Sequence, residues 1–282
     1  MEGLITKILS DKCYVKTDKE VVICNLRGKF RAQKLLPLVG DKVIINKEKR
    51  VIERILPRKN TIRRPSVSNI TQGLIVASVK NPNLDPNLID KILVELEFNS
   101  IKPIICFTKL DLLNSDELKD CLKIIDYYRK LYPVYFNSEI DKIKKIFKNE
   151  ITVFIGQTGA GKSTLLNKLD SSLSLKTGEI SLALGRGKHT TRHVEIIEIL
   201  DGMLLDTPGF SALEFPNMMQ KEIRDAFIEF NNFPCPYRDC MHIKEEECNV
   251  KKAVENGDIP NFRYQDYLDL VKTGHVDEYQ RR

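Results

Sequence analysis

Over the first sixty or so positions, apolar residues come in short runs that alternate with polar ones: Leu4-Ile5-Thr6-Lys7-Ile8, Cys13-Tyr14-Val15-Lys16, Val21-Val22-Ile23-Cys24, Lys42-Val43-Ile44-Ile45 and Val51-Ile52-Glu53-Arg54-Ile55. Ser10-Asp11, Thr17-Asp18, Gly28, Pro37 and Gly40-Asp41 separate them, the punctuation of short strands joined by turns. Five such strands predict a small β-barrel of the OB type over residues 1–64. Pro57 to Pro65, with Arg58, Lys59, Arg63 and Arg64, reads as a basic connector.

From there the period changes. Gln72 to Val79 is a continuous apolar strand, and Asp85-Pro86 starts a helix with Asp85 as cap and Pro86 in the first helical position. Ile89, Leu93 and Leu96 give that helix one apolar side. A strand over Pro103–Phe107, a helix from Asp116 to Tyr132, a strand over Val134–Phe136 and a helix from Ile140 to Lys148 follow. Strand Ile151–Ile155 and helical Leu165–Leu169 continue the alternation, and a hairpin pairs Val194–Ile199 with Met203–Leu205 through Asp201-Gly202. This α/β alternation predicts a parallel sheet with helices on both faces for residues 65–225. Residues 226–282 predict a small α domain, with helical patterns at Lys251–Asn256 and Tyr264–Lys272 and a loosely ordered end through Tyr279–Arg282.

Composition changes the picture in two ways. With 42% hydrophobic and 30% charged residues among 282, the chain is globular, and its longest apolar runs, such as Leu74-Ile75-Val76-Ala77, are strand-sized. The start, Met1-Glu2-Gly3, has no basic region leading into an apolar stretch, so a cytoplasmic protein without a membrane span is expected. Charge is uneven: residues 1–64 hold 17 Lys and Arg against 7 Asp and Glu, a net of +10, so the total of +6 leaves −4 for the rest. The predicted barrel therefore carries the basic surface, and Arg27, Lys29, Arg31 and Lys34 are its candidate RNA phosphate contacts, against the alternative of a solvated basic face. Tyr14 and Phe30 are its only aromatics, which favours backbone recognition over base stacking.

Between strand Ile151–Ile155 and helix Leu165–Leu169 lies Gly156-Gln157-Thr158-Gly159-Ala160-Gly161-Lys162-Ser163-Thr164, a phosphate-binding loop in its required strand–loop–helix setting. Its backbone N–H groups would cradle an anion at a helix N-terminus, Lys162 would meet β/γ phosphates and Ser163 would reach Mg²⁺. The plainer alternative is a glycine-rich turn with an exposed lysine. Thr108-Lys109-Leu110-Asp111, at the end of a predicted strand, is a guanine reader: a carboxylate accepts from guanine N1–H and N2–H₂, which adenine does not offer. Alone the tetrapeptide is a common surface sequence; beside a phosphate loop it gains weight. Lys109 would lie along the base and the backbone near Ser138 would meet O6. Thr108 stands where Asn is more usual, which predicts the loss of an amide that braces neighbouring loops.

Gly185-Arg186-Gly187-Lys188-His189-Thr190-Thr191-Arg192-His193 and Asp206-Thr207-Pro208-Gly209-Phe210 read as two loops that sense a γ-phosphate. Thr191 and Asp206 are the further candidates for Mg²⁺, and the Gly209 N–H is a candidate donor to the γ-phosphate. Phe210 cannot orient a water, so slow intrinsic hydrolysis raised by a partner is expected. His189 is the internal substitute, or simply an exposed loop histidine. In the last domain Cys235, Cys240, His242 and Cys248 form C-x4-C-x-H-x5-C, a soft tetrahedral set suited to one structural Zn²⁺; buried reduced cysteines are the alternative.

In order and content these motifs resemble the circularly permuted GTPases, specifically the ribosome small subunit-dependent GTPase A family (RsgA/YjeQ), over essentially the full length. In ordinary GTPases the phosphate loop precedes the base-reading motif, whereas here Thr108–Asp111 comes first. The resemblance implies a multi-domain protein, with an OB-type barrel, a permuted P-loop GTPase domain and a zinc-binding domain, that hydrolyses GTP to GDP on the small ribosomal subunit and its rRNA late in assembly. A monomer is expected. A GTP-dependent RNA-binding switch with only incidental hydrolysis shares every motif, while an ATPase is disfavoured by Asp111.

Overall fold

The five apolar runs of the first segment become strands β1 (Glu2–Leu9), β2 (Lys12–Lys16), β3 (Val21–Leu26), β4 (Lys42–Asn46) and β5 (Val51–Ile55). The computed structural model describes residues 1–26, 30, 36–62, 66–171, 194–206 and 218–275. β1 pairs with both β2 and β4, β2 with β3, β3 with β5 and β5 with β4, so the strands close into a barrel. Alternation puts Ile5, Cys13, Val15, Cys24, Val43 and Ile52 inside, with Phe30 filling the same core. The connector is fastened rather than loose. Arg58 donates to both Asp41 carboxylate oxygens, at 2.7 and 2.8 Å, and buried Asp41 also accepts from the Ser68 hydroxyl at 2.6 Å. Ser68 lies in β7 (Val67–Ser68), which pairs with β6 (Thr61–Ile62).

The second segment follows its period: β8 (Gln72–Ser78), α1 (Pro86–Phe98), β9 (Lys102–Thr108), α2 (Ser115–Leu131), β10 (Val134–Phe136), α3 (Ile140–Lys145), β11 (Ile151–Ile155), α4 (Lys162–Leu169), β12 (Glu195–Ile199) and β13 (Gly202–Asp206). Asp85 caps α1 by accepting from the Leu88 N–H, with Pro86 in its first turn. Asn114 and Glu117 form a capping box on α2. The strand order is β10-β9-β8-β11-β13-β12, parallel except for β12, and separate apolar cores pack on its two faces.

The barrel is not a separate bead. Lys7 of β1 is in register with Glu195 of β12, which joins barrel and parallel sheet into one sheet of 11 strands. Hydrophobic alternation cannot reveal such a junction, because it carries no information about which edge meets which.

The C-terminal part comprises α5 (Gln220–Asp225), a 3-10 turn (Ile228–Asn232), α6 (Asn249–Glu255) and α7 (Asn261–Thr273). Its core takes in Met218, Ile223, Phe227, Phe230, Val250, Tyr267 and Leu270, together with Val94 of α1. A buried polar seam fixes α7 against α1. Arg263, fully buried, meets Asp90 and Glu229, each at 2.6 Å, and Asn87 donates to Asp266 at 2.6 Å. Met218 and Gln220 share backbone hydrogen bonds with His275 just past α7. Among the described residues, no helix is long and apolar enough to cross a membrane.

Candidate nucleotide and metal sites

Ligand sites in open α/β sheets form at the carboxyl ends of the strands, where helices on opposite faces diverge. Here that point lies after β11, flanked by β8 and β13. The loop from Gly156 to Gly161 leaves β11 through positive φ values at Gly156 (+142°), Gly159 (+80°) and Gly161 (+96°). A Cβ on Gly156 would sit 2.2 Å from the Val76 carbonyl oxygen, so only glycine lets the loop pass this close to β8. Gly161 then caps α4, whose first residue is Lys162. The Lys162 ammonium lies folded over the loop, donating to the carbonyls of Gly156 (2.5 Å) and Gln157 (2.7 Å), and burial lowers its pKa to about 8. Ser163 is buried one residue on. The cradle is thus glycine-dependent, cationic at its centre and aimed by a helix N-terminus, which fits a polyphosphate.

The Thr108–Asp111 tetrapeptide is hydrogen-bonded directly to this loop. Thr108 ends β9, and its hydroxyl donates to the Ala160 carbonyl at 2.7 Å. Lys109, with φ of 65°, donates to the Gly159 carbonyl at 2.7 Å and also to the carbonyl of Asn81. The brace thought lost with the usual Asn is therefore supplied by the threonine hydroxyl, a short donor that reaches because β9 ends close to the loop. Asp111 follows in an exposed 3-10 turn, Leu110–Leu112. A cavity of about 90 Å³ opens between Thr108, Lys109, Asn137, Gly161, Thr164, Leu165 and Lys168. Asn137, whose N–H is held by the Phe107 carbonyl at 3.0 Å, lines it, while Ser138 is exposed alongside. Sequence reasoning did not single out Asn137, Leu165 or Lys168; only their position after a parallel strand or on the first turns of α4 would have pointed to them.

Asp206 is the last residue of β13, next to β11, with Leu205 in register with Val153. His189, Thr191, Gly209 and Phe210 lie outside the described residues, as do Arg27, Lys29, Arg31 and Lys34.

The second site is the cysteine cluster. The ligand atoms of Cys235, Cys240, His242 and Cys248 all lie within 4.8 Å of one another. The His242 Nδ1 is 3.5 Å from the Cys235 sulfur and 3.4 Å from that of Cys248, and the two sulfurs are 3.7 Å apart. Those separations match the edges of a tetrahedron with metal–sulfur bonds near ~2.3 Å. Burial holds the His242 imidazole below its ordinary pKa, hence neutral as a ligand must be, and pushes the Cys240 thiol up to about 12, so that a thiolate there needs a cation beside it. The donor set fits zinc. The carbonyls on either side are pinned as well: Tyr264 donates to that of His242 at 2.6 Å, and Tyr267 to that of Met241.

Comparison with known proteins agrees in order and extent. The pattern described as the RsgA GTPase matches residues 55–216, and that of the RsgA N-terminal domain matches residues 2–51. The chain is 44% identical over 280 residues to the small ribosomal subunit biogenesis GTPase RsgA of Enterococcus faecalis, covering 96% of this chain and 94% of that one. It is 45% identical over 279 residues to the protein of the same name from Clostridium acetobutylicum, covering 96% of each. Among solved structures it resembles YjeQ from Thermotoga maritima (TM-score 0.84, 34% identity, 96% of this chain and 97% of that one). It also resembles YloQ, described as a circularly permuted GTPase (TM-score 0.80, 34% identity, 96% and 94%).

Proposed function

Since this chain belongs to the RsgA GTPase family, we propose that it hydrolyses GTP during biogenesis of the small ribosomal subunit and that subunit binding stimulates the turnover. The observation that carries the reading is the pair of hydrogen bonds from Thr108 and Lys109 to the Gly156–Thr164 loop, which bind a guanine reader and a phosphate cradle into one pocket from segments far apart in the chain. Three units share the work: residues 1–64 for RNA, 65–225 for nucleotide and 226–282 around zinc.

Within the pocket, Asp111 accepts from the guanine N1–H and N2–H₂, Lys109 and Leu110 flank the base, and the Ser138 backbone meets O6. Gln157, Thr158, Gly159, Ala160 and Gly161 offer their N–H groups to the phosphates. Lys162 exchanges its two carbonyl partners for β/γ-phosphate oxygens and recovers a full positive charge there. Ser163, Thr164 and Thr191 bring hydroxyls, and Ser163, Thr191 and Asp206 hold Mg²⁺, which supplies charge neutralisation on the transferring phosphoryl group. Gly209 donates to the γ-phosphate. Phe210 leaves the attacking water without an internal orienting amide, so His189 or a group on the ribosome orients it. Cys235, Cys240, His242 and Cys248 hold a structural zinc.

The test is GTP turnover with small subunits, with large subunits and without ribosomes. Stimulation by small subunits alone is expected. Equal turnover in all three arms leaves a GTP-dependent RNA-binding switch with incidental hydrolysis, and the proposal falls.

A further inference from the structure

We propose that Lys168 is a specificity-determining residue of the nucleotide site, its ammonium donating to guanine O6 on the edge opposite the amino group that Asp111 reads; this rests on the proposed guanine pocket and adds a residue to it. Gly161, Thr164, Leu165 and Lys168 recur at helical spacing along one stripe of α4, and all four line the cavity of about 90 Å³ that Lys109 and Asn137 also border. The two ends of the stripe meet different parts of a nucleotide. Gly161 belongs to the phosphate cradle, whereas Lys168 lies six residues beyond Lys162, about 9 Å along the helix axis. Long side chains on a helix lean back over the preceding turn, which carries the Lys168 chain over Thr164 rather than past the end of α4. Leu165, Leu166 and Leu169 of α4 share one apolar core with Ile140 and Ile143 of α3, so the far end of the stripe lies toward the turn between β10 and α3, where Asn137 stands.

Charge points the same way. The cavity wall carries two ammonium groups and no carboxylate. Lys109 is occupied by the carbonyls of Asn81 and Gly159. Lys168 is exposed and has no ion-pair partner among the described residues; Glu139, the acid just ahead of α3, is bonded instead to Lys142 at 2.6 Å and to the Phe136 N–H at 2.9 Å. Guanine presents acceptors at O6 and N7, where adenine carries an amino group on C6. A carbonyl oxygen has two lone pairs, so the backbone N–H near Ser138 and the Lys168 ammonium take one each. Asp111 then attracts the donor edge of the base and Lys168 the acceptor edge, and an adenine turned into the same place sets its C6 amino group against a cation. A lysine in the last turn of a helix also suits the negative end of the helix dipole whatever ligand binds, and that plainer role carries no dependence on O6.

Full-length wild-type, Lys168→Met, Lys168→Gln and Lys168→Arg chains are titrated with GTP, ITP, 2-aminopurine riboside triphosphate and ATP. GTP and ITP carry O6, whereas the 2-aminopurine nucleotide keeps the 2-amino group and lacks it. Lys168→Met and Lys168→Gln are expected to bind GTP and ITP about three- to tenfold more weakly, less than a buried charged hydrogen bond is worth because water screens the exposed ammonium. Both are expected to bind the 2-aminopurine nucleotide within about twofold of wild type, and Lys168→Arg to keep the wild-type preference. Raising the salt concentration is expected to narrow the gap between wild type and Lys168→Met for GTP. Equal weakening toward all four triphosphates means that the charge acts on the phosphates, and no weakening toward any means that it is a helix-end charge; either result overturns the proposal while the guanine pocket stands. If the wild-type chain binds GTP no better than ATP and the 2-aminopurine nucleotide, the guanine pocket itself falls, and the role of Lys168 with it.

Discussion

Replacing Arg263 by Met tests what fixes the C-terminal part to the nucleotide-binding part. The guanidinium is fully buried, ion-paired with Asp90 and Glu229 at 2.6 Å each, and lies 4.3 Å from the centre of the Phe227 ring. Met keeps most of the volume and removes the charge, leaving two carboxylates that are 0% and 3% exposed without a cation. Removing one partner of a buried ion pair costs about 3–5 kcal/mol, and the lost ring contact adds ~1 kcal/mol. Against a usual domain stability of about 5–15 kcal/mol this is enough to detach α7 from α1 well before the sheet unfolds.

Protonation of Asp90 softens the loss and makes it depend on pH. Burial already raises Asp90 from 3.8 to about 7, with Arg263 and the Tyr128 hydroxyl opposing it. Without Arg263 it rises further, so the folded variant binds protons that the unfolded chain releases. Its stability then falls as pH rises from about 4 through and beyond 7. Urea unfolding followed by tyrosine emission, which suits a chain with no tryptophan, is expected to show a lower midpoint for Arg263→Met, with a larger deficit at pH 8 than at pH 6. Adding Asp90→Asn and Glu229→Gln is expected to recover most of the deficit. Midpoints equal to wild type at pH 8, or a deficit indifferent to pH and to the added substitutions, refute the unpaired-charge reasoning.

Thr108→Val leaves the Ala160 carbonyl without its donor and is expected to weaken GTP binding about five- to tenfold, with Thr108→Asn close to wild type; equal affinities for all three remove the brace. Because burial lowers Lys162 to about 8, its charge is present below that pH and lost above it, so the affinity for GTP is expected to be level from pH 6.5 to 7.5 and about fourfold weaker at 8.5. A profile flat through 8.5 contradicts this. Cys240→Ala is expected to abolish bound zinc and to unfold the α6–α7 region first on heating, and retention of one metal per chain would show that the ligand set is wrong.

The elements that alternation and capping specify were legible: the five barrel strands, the Asp85 cap with Pro86, and the strand and helix that bracket the phosphate loop. What escaped the sequence depends on distant partners. Thr108 looked like the loss of an amide until β9 was seen to end within hydrogen-bond reach of Ala160. Arg263 reads as an ordinary surface charge in a helix with Asp and Gln around it, yet Asp90, which lies among the apolar residues of α1, draws it into the core. The cluster of Cys235, Cys240, His242 and Cys248 needed no such help, because its spacing alone confines four soft donors to one short stretch.

In the proposed switch, the junction between barrel and sheet would carry the nucleotide state to the barrel. β12 begins at Glu195, shortly after Thr191 in the sequence, and β13 ends at Asp206, so both segments proposed to sense the γ-phosphate adjoin this hairpin along the chain. Glu195 is in turn bonded to Lys7 of β1 at 2.6 Å, with the lysine side chain 7% exposed and the carboxylate 30%. A shift of the hairpin must either carry β1 along or strand a buried ammonium, and the second costs several kcal/mol. The Lys16–Glu198 pair, with both ends more exposed, is screened by solvent and holds far less. Lys7→Met is therefore expected to bring the ratio of small-subunit affinities in the GTP and GDP states toward one while leaving nucleotide affinity within about twofold of wild type, and the charge swap Lys7→Glu with Glu195→Lys is expected to restore the ratio. A ratio unmoved by Lys7→Met means that the barrel reads nucleotide by another route, or not at all.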